Sequence, residues 1–70
     1  MSDPIRVTVN GEKREFAAAP TCAELLDALA LHGRRLAIEV NGEIVPRSRF
    51  DAVRLAGGDR IEVVVAVGGG

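Results

Sequence analysis

Gly68, Gly69 and Gly70 close a chain of 70 residues, directly after a run over residues 61–67 that is apolar except for Glu62. A terminal carboxylate has a reference pKa of about 3.3 to 3.7, so at neutral pH it is ionised and a poor electrophile. Attack of its oxygen on the α-phosphate of ATP would convert it to an acyl-adenylate with a good leaving group. Gly70 then offers a carbonyl that no side chain hinders, and Gly68 and Gly69 keep the approach thin enough to thread a narrow channel in a partner. The chain itself carries no glycine-rich nucleotide loop opening a helix, no lysine other than Lys13 and no clustered acids for magnesium. It reads as the substrate of an adenylating enzyme, with no catalytic residues of its own.

The other reactive side chains have plainer readings. Cys22 lies on an apolar helical stripe and reads as a buried structural thiol. Its place near a helix N-terminus would lower its pKa only if it were exposed. His32 reads as a partner for the helix dipole, with no carboxylate placed beside it by sequence. Arg34 and Arg35 read as a solvated loop pair, while Arg47 and Arg49 flank a turn and face a partner. Val64 and Ala66, with Ala37, fall on the outward side of their strands and make a modest apolar area beside the tail, a docking surface for the activating enzyme.

Positioning this tail requires a folded unit. The length suits one small domain. Hydrophobic residues make up 47% of the chain, mostly aliphatic, with Phe16 and Phe50 the only aromatics, so the core must be built from aliphatic packing. Nine basic and ten acidic residues give a net charge of -1, which argues against a nucleic-acid partner. One cysteine and one histidine exclude an internal disulfide and a Cys/His zinc cluster, so no metal is expected. The absence of a leader pattern after Met1 and of a long apolar stretch points to a cytoplasmic setting and no membrane.

Ile5, Val7 and Val9 alternate with Arg6 and Thr8, the period of a strand with one buried face, and Asn10-Gly11 is a favoured hairpin pair. The chain should return antiparallel over residues 12–16. Thr21 followed by Glu24 is the reciprocal capping pattern that opens a helix. Cys22, Leu25, Leu26 and Leu29 continue it as one apolar stripe, and Gly33 reads as its stop. Leu36, Ile38 and Val40 restore strand alternation up to Asn41-Gly42. Ile44 and Val45 make a short strand that Pro46 confines to an edge or ends. Phe50, Val53 and Leu55 anchor a turn or short helical piece, Gly57-Gly58-Asp59 is a turn, and residues 61–67 form a central strand parallel to the first. The two Asn-Gly segments read as hairpins obeying the same turn chemistry, not as a repeat array. The expected fold is α+β: a β-grasp, ubiquitin-like mixed five-stranded sheet on one helix, in the order β-β-α-β-β-β. The expected domain covers residues 1–67, with a flexible tail at 68–70.

These features together resemble the ThiS family, the sulfur carriers of thiamine biosynthesis. The resemblance rests on Asn10-Gly11 after the first strand, on the segment from Thr21 to Leu26, and on Gly58-Asp59 and the terminal Gly69-Gly70. Its most specific part is Asn41-Gly42-Glu43-Ile44-Val45-Pro46-Arg47. It implies that an E1-like adenylyltransferase activates Gly70 with ATP, with no cofactor bound to the carrier itself. A cysteine desulfurase relay then supplies sulfur to form a thiocarboxylate, which thiazole synthase accepts. The small subunit of molybdopterin synthase is the alternative carrier, though such chains tend to be longer and commonly place prolines before the glycines. A ubiquitin-like protein modifier and an interaction module with an inert tail are the remaining alternatives.

Overall fold

The computed structural model of the chain describes residues 3–66. The expectations placed on Met1, Val67 and Gly68, Gly69 and Gly70 lie outside the described residues, as does the domain boundary after residue 67. Strands β1 (Ile5–Val9) and β2 (Glu12–Phe16) are followed by helix α1 (Cys22–Ala28). Strands β3 (Leu36–Val40) and β4 (Glu43–Val45), a 3-10 turn at Arg47–Arg49 and strand β5 (Arg60–Val65) complete the order. The sheet runs β2-β1-β5-β3-β4. β1 and β5 are parallel at its centre and every other pair is antiparallel. This is the mixed β-grasp sheet that the alternation and turn signals anticipate, with β5 in the central place expected for it.

Period-two alternation decides which side chains enter the core. Val7 and Val9 of β1, Ile61 and Val63 of β5 and Ile38 of β3 are buried on one face, against Cys22, Leu25 and Leu26 of the helix. Full burial of an aliphatic side chain stabilises by about 1.5–3 kcal/mol. Seven residues of helix are too few to persist alone, so α1 depends on this packing. Phe50 and Leu55, from the connection between β4 and β5, close the remaining side of the core.

The N-terminus of α1 is held on all its free donors. Thr21 and Glu24 form the expected capping box, with Glu24 N donating to Thr21 Oγ1 at 3.1 Å and Thr21 N donating to Glu24 Oε1 at 2.8 Å. The two remaining N–H groups of the first turn donate to the β4–β5 connection, Cys22 N to Val53 O and Ala23 N to Phe50 O. Donors that a helix cannot satisfy internally thus fasten that connection to the helix.

The last strand, read from sequence over residues 61–67, begins at Arg60 and ends at Val65, so that Ala66 lies outside it, and two further details differ from the sequence reading. The helix does not run to Gly33. Its C-cap is Leu29, and Ala30 takes the left-handed conformation at φ 59°. Ala30 N donates to Asp27 O and Leu31 N donates to Leu26 O, the paired bonds of a Schellman motif. Leu31 packs against the core, and this apolar anchor ends the helix early although the left-handed residue is not glycine. Gly33, also at positive φ, serves the next turn. His32 therefore lies outside the last helical turn, and it stands 3.1 Å from the carboxylate of Asp27, a neighbour one turn back in the chain.

Candidate functional site

β5 carries the chain toward its terminal glycines, and three neighbours grip it. Each Asn-Gly hairpin places its asparagine at positive φ, 50° for Asn10 and 52° for Asn41, as a two-residue turn between twisted strands requires. Both carboxamides then point at β5. Asn10 Oδ1 accepts from Val63 N at 2.8 Å while its Nδ2 donates to Val63 O at 3.0 Å. Asn41 Oδ1 accepts from Arg60 N at 2.9 Å and its Nδ2 donates to Asp59 Oδ1 at 3.0 Å. Asn10 in effect extends β1 by one rung along β5 after the β1 backbone has turned away.

At its far end β5 is held by β3 alone among the described residues. Val65 lies opposite Leu36, and Ala66 N donates to Arg35 O at 2.8 Å. Arg47 Nη2 reaches the carbonyl of Arg34 at 3.1 Å. The backbone of Arg34 and Arg35 thus ties Arg47 to the end of β5. Arg47 joins the segment before β3, whereas Arg49 lies in a hollow of about 500 Å³ lined also by Val40, Ile44, Val45 and Pro46. That hollow lies along β4 and the end of β3. Among the described residues no three histidine, cysteine or carboxylate side chains converge as metal ligands.

Val64 is 62% exposed and Ala37, its partner across β3, is exposed as well. Ala66, the residue after β5 ends, is also exposed. These residues make an outward apolar area near the end of β5. Its largest member was not singled out by sequence: Ile44 is 71% exposed and lies opposite Glu39 in the β3–β4 ladder. Strand alternation carried across the two-residue turn at Asn41-Gly42 would have placed it on the face of Ala37.

Cys22 is fully buried. Burial, with a smaller contribution from the negative charge of Asp59, pushes its thiol above the ordinary value of 9.0. A thiol held neutral in this way is a poor nucleophile, consistent with the structural role read from its position. Among the described residues no helix is long and apolar enough to cross a membrane.

Comparison with known proteins places this geometry. The ThiS family model matches residues 7–70. The crystal structure of the thiamine biosynthesis protein ThiS from Geobacter metallireducens is 35% identical, with a TM-score of 0.80, and the match covers 94% of this chain and all of that one. The thiazole synthase of Paramagnetospirillum magneticum is 41% identical over 94% of this chain, which spans only 20% of that protein. The uncharacterised protein ycf40 of Porphyra purpurea is 30% identical over 94% of this chain and 93% of its own length.

Proposed function

The chain belongs to the ThiS family, and on that premise we propose that it is a protein-bound sulfur carrier of thiamine biosynthesis, acting as a substrate of partner enzymes. The Gly70 carboxylate is adenylated by an E1-like adenylyltransferase that uses ATP. Sulfur from a cysteine desulfurase relay displaces AMP and leaves a thiocarboxylate, which thiazole synthase accepts in the cytoplasm. Gly68 and Gly69 thread the partner's active site, and Val64, Ala66 and Arg47 dock the adenylating enzyme. Tethering a thiocarboxylate to a folded domain delivers a soft nucleophile at high effective concentration without releasing free sulfide.

The observation that carries this reading is the family match itself, which runs through the glycines to residue 70. The relative named thiazole synthase, of which a chain-length stretch resembles this protein, supports the choice of sulfur acceptor. The clasp of Asn10 on Val63 and the pairing of Ala66 with Arg35 supply a rigid base from which a short tail can be presented.

Intact mass spectrometry tests the proposal on the protein purified from cells that also express its activating enzyme and desulfurase. One oxygen replaced by sulfur, localised to Gly70, is the expected result. An unmodified mass after incubation with ATP and both enzymes rejects it in favour of an interaction module with an inert tail.

A further inference from the structure

The tetrapeptide Val-Asn-Gly-Glu occurs twice, at residues 9–12 and 40–43, and each copy turns a hairpin with its asparagine at positive φ. Asparagine before glycine is open to a reaction within the chain. The glycine nitrogen, with no side chain to shield it, attacks the asparagine Cγ; the Cγ–Nδ2 bond breaks, and ammonia leaves with the proton that the glycine nitrogen gives up. Water then opens the succinimide ring at either carbonyl to leave aspartate or isoaspartate. The matched tetrapeptides give the two sites equal intrinsic rates in the unfolded chain, so a difference between them has to come from tertiary structure.

Attack requires the carboxamide to leave its partners and turn toward the next nitrogen. Asn10 holds both carboxamide atoms on the backbone of Val63 in part-buried surroundings, and five residue pairs of β1 and β2 close its hairpin. Asn41 is bonded in exposed surroundings to Arg60 N and Asp59 Oδ1, and three pairs of β3 with the edge strand β4 close its hairpin. Local opening follows the fewer and wetter bonds. The product also meets a fixed neighbour. Asp59 Oδ2 accepts from Ala56 N at 2.7 Å, which holds that carboxylate in place, while its Oδ1 takes the Asn41 Nδ2 donor at 3.0 Å. Replacing the donor by an oxygen sets two carboxylates in contact, where both cannot stay ionised without cost.

We propose that Asn41 is a site of spontaneous deamidation in the folded protein, that Asn10 is protected, and that the product loosens the start of β5 by setting a new carboxylate against Asp59. The Asp59 carbonyl also accepts from Thr8 N, and Asn41 N donates to Arg60 O, so the altered contact lies where both hairpins hold the entry of the central strand. Isoaspartate adds a backbone atom to a turn whose two-residue spacing sets the β3–β4 register.

The test incubates the full chain at mildly alkaline pH, folded and in urea, and follows each asparagine by peptide mapping with mass spectrometry, which reads the exchange of an amide for a carboxyl group. In urea the two sites should convert at the same rate. In the folded chain Asn41 should convert faster than Asn10 by roughly tenfold or more. Equal rates in the folded chain, faster conversion at Asn10, or protection of both sites overturns the inference. Thermal unfolding tests the consequence. Asn41→Asp should melt a few degrees below the unaltered chain, and adding Asp59→Asn should restore most of the loss, because an amide at position 59 can donate to the new carboxylate while still accepting from Ala56 N. An Asn41→Asp chain that melts with the unaltered one, or that Asp59→Asn fails to restore, overturns the role given to the Asp59 contact.

Discussion

Asn10 and Val63, 53 residues apart in the chain, are joined by two hydrogen bonds between one side-chain carboxamide and one backbone residue. The carboxamide supplies a donor and an acceptor in the spacing of a peptide group. It therefore satisfies the inward-facing polar groups of β5 where β1 no longer can.

Asn10→Gly keeps the positive φ of the turn, removes this clasp and leaves the N–H and C=O of buried Val63 without their partner. The freedom that glycine adds to the unfolded chain is shared with Asn41→Gly and cancels in their comparison. The expected loss is about 1–3 kcal/mol. Asn41→Gly removes bonds made in more exposed surroundings and should lose less than about 1 kcal/mol. Urea unfolding of the two variants compares them directly; equal losses would mean that the Asn10 clasp has no special weight.

Ala30 holds a left-handed conformation that a Cβ penalises by about 1–2 kcal/mol. Ala30→Gly removes that strain but adds freedom to the unfolded chain worth about 0.5–1 kcal/mol. The net expectation is a gain of about 0.5–1 kcal/mol, read as a melting temperature raised by a few degrees. A lower melting temperature would show that Ala30 is not strained.

The buried Cys22 thiol couples stability to alkaline pH. Its folded pKa lies above its unfolded one, so the thiol form is common to both states at neutral pH and this group contributes no slope there. Once pH rises past the unfolded value, the unfolded chain loses the proton while the folded chain retains it, and stability falls. Denaturation between pH 7 and 10 should show this fall in the unaltered chain and a smaller one in Cys22→Ala. The native thiol should also resist alkylation at pH 8, and Cys22→Ser should leave sulfur loading intact in protein shown to be folded.

Val64→Asp places a charge on a side chain that is 62% exposed, so the fold should survive. On the outward side of β5, which the carrier reading assigns to the adenylating enzyme, it adds a negative charge and removes apolar contact. Adenylation of Gly70 should slow by on the order of tenfold or more. A folded variant loaded at the normal rate would remove Val64 from the docking surface.

Much of the fold was legible from neighbouring residues because its causes are local. Alternation in Ile5-Arg6-Val7-Thr8-Val9 reports a half-buried strand, the two Asn-Gly pairs report tight turns, and Thr21 with Glu24 reports a helix start. Each rests on bonds or faces within a few residues, so the amino-acid order contains it whole. The chemistry of the terminal glycines and the resemblance of residues 41–47 to the ThiS family are likewise properties of the chain as written. Tertiary structure alone decided the rest. Leu31 finds the core and so ends the helix at Ala30 rather than Gly33. Asn10 meets Val63, Arg47 meets Arg34, and Asn41 meets Asp59, because strand order and register bring distant segments together. No local preference encodes those meetings; they follow from burying one apolar face of five strands against a single helix, which leaves the opposite face free for a partner to read.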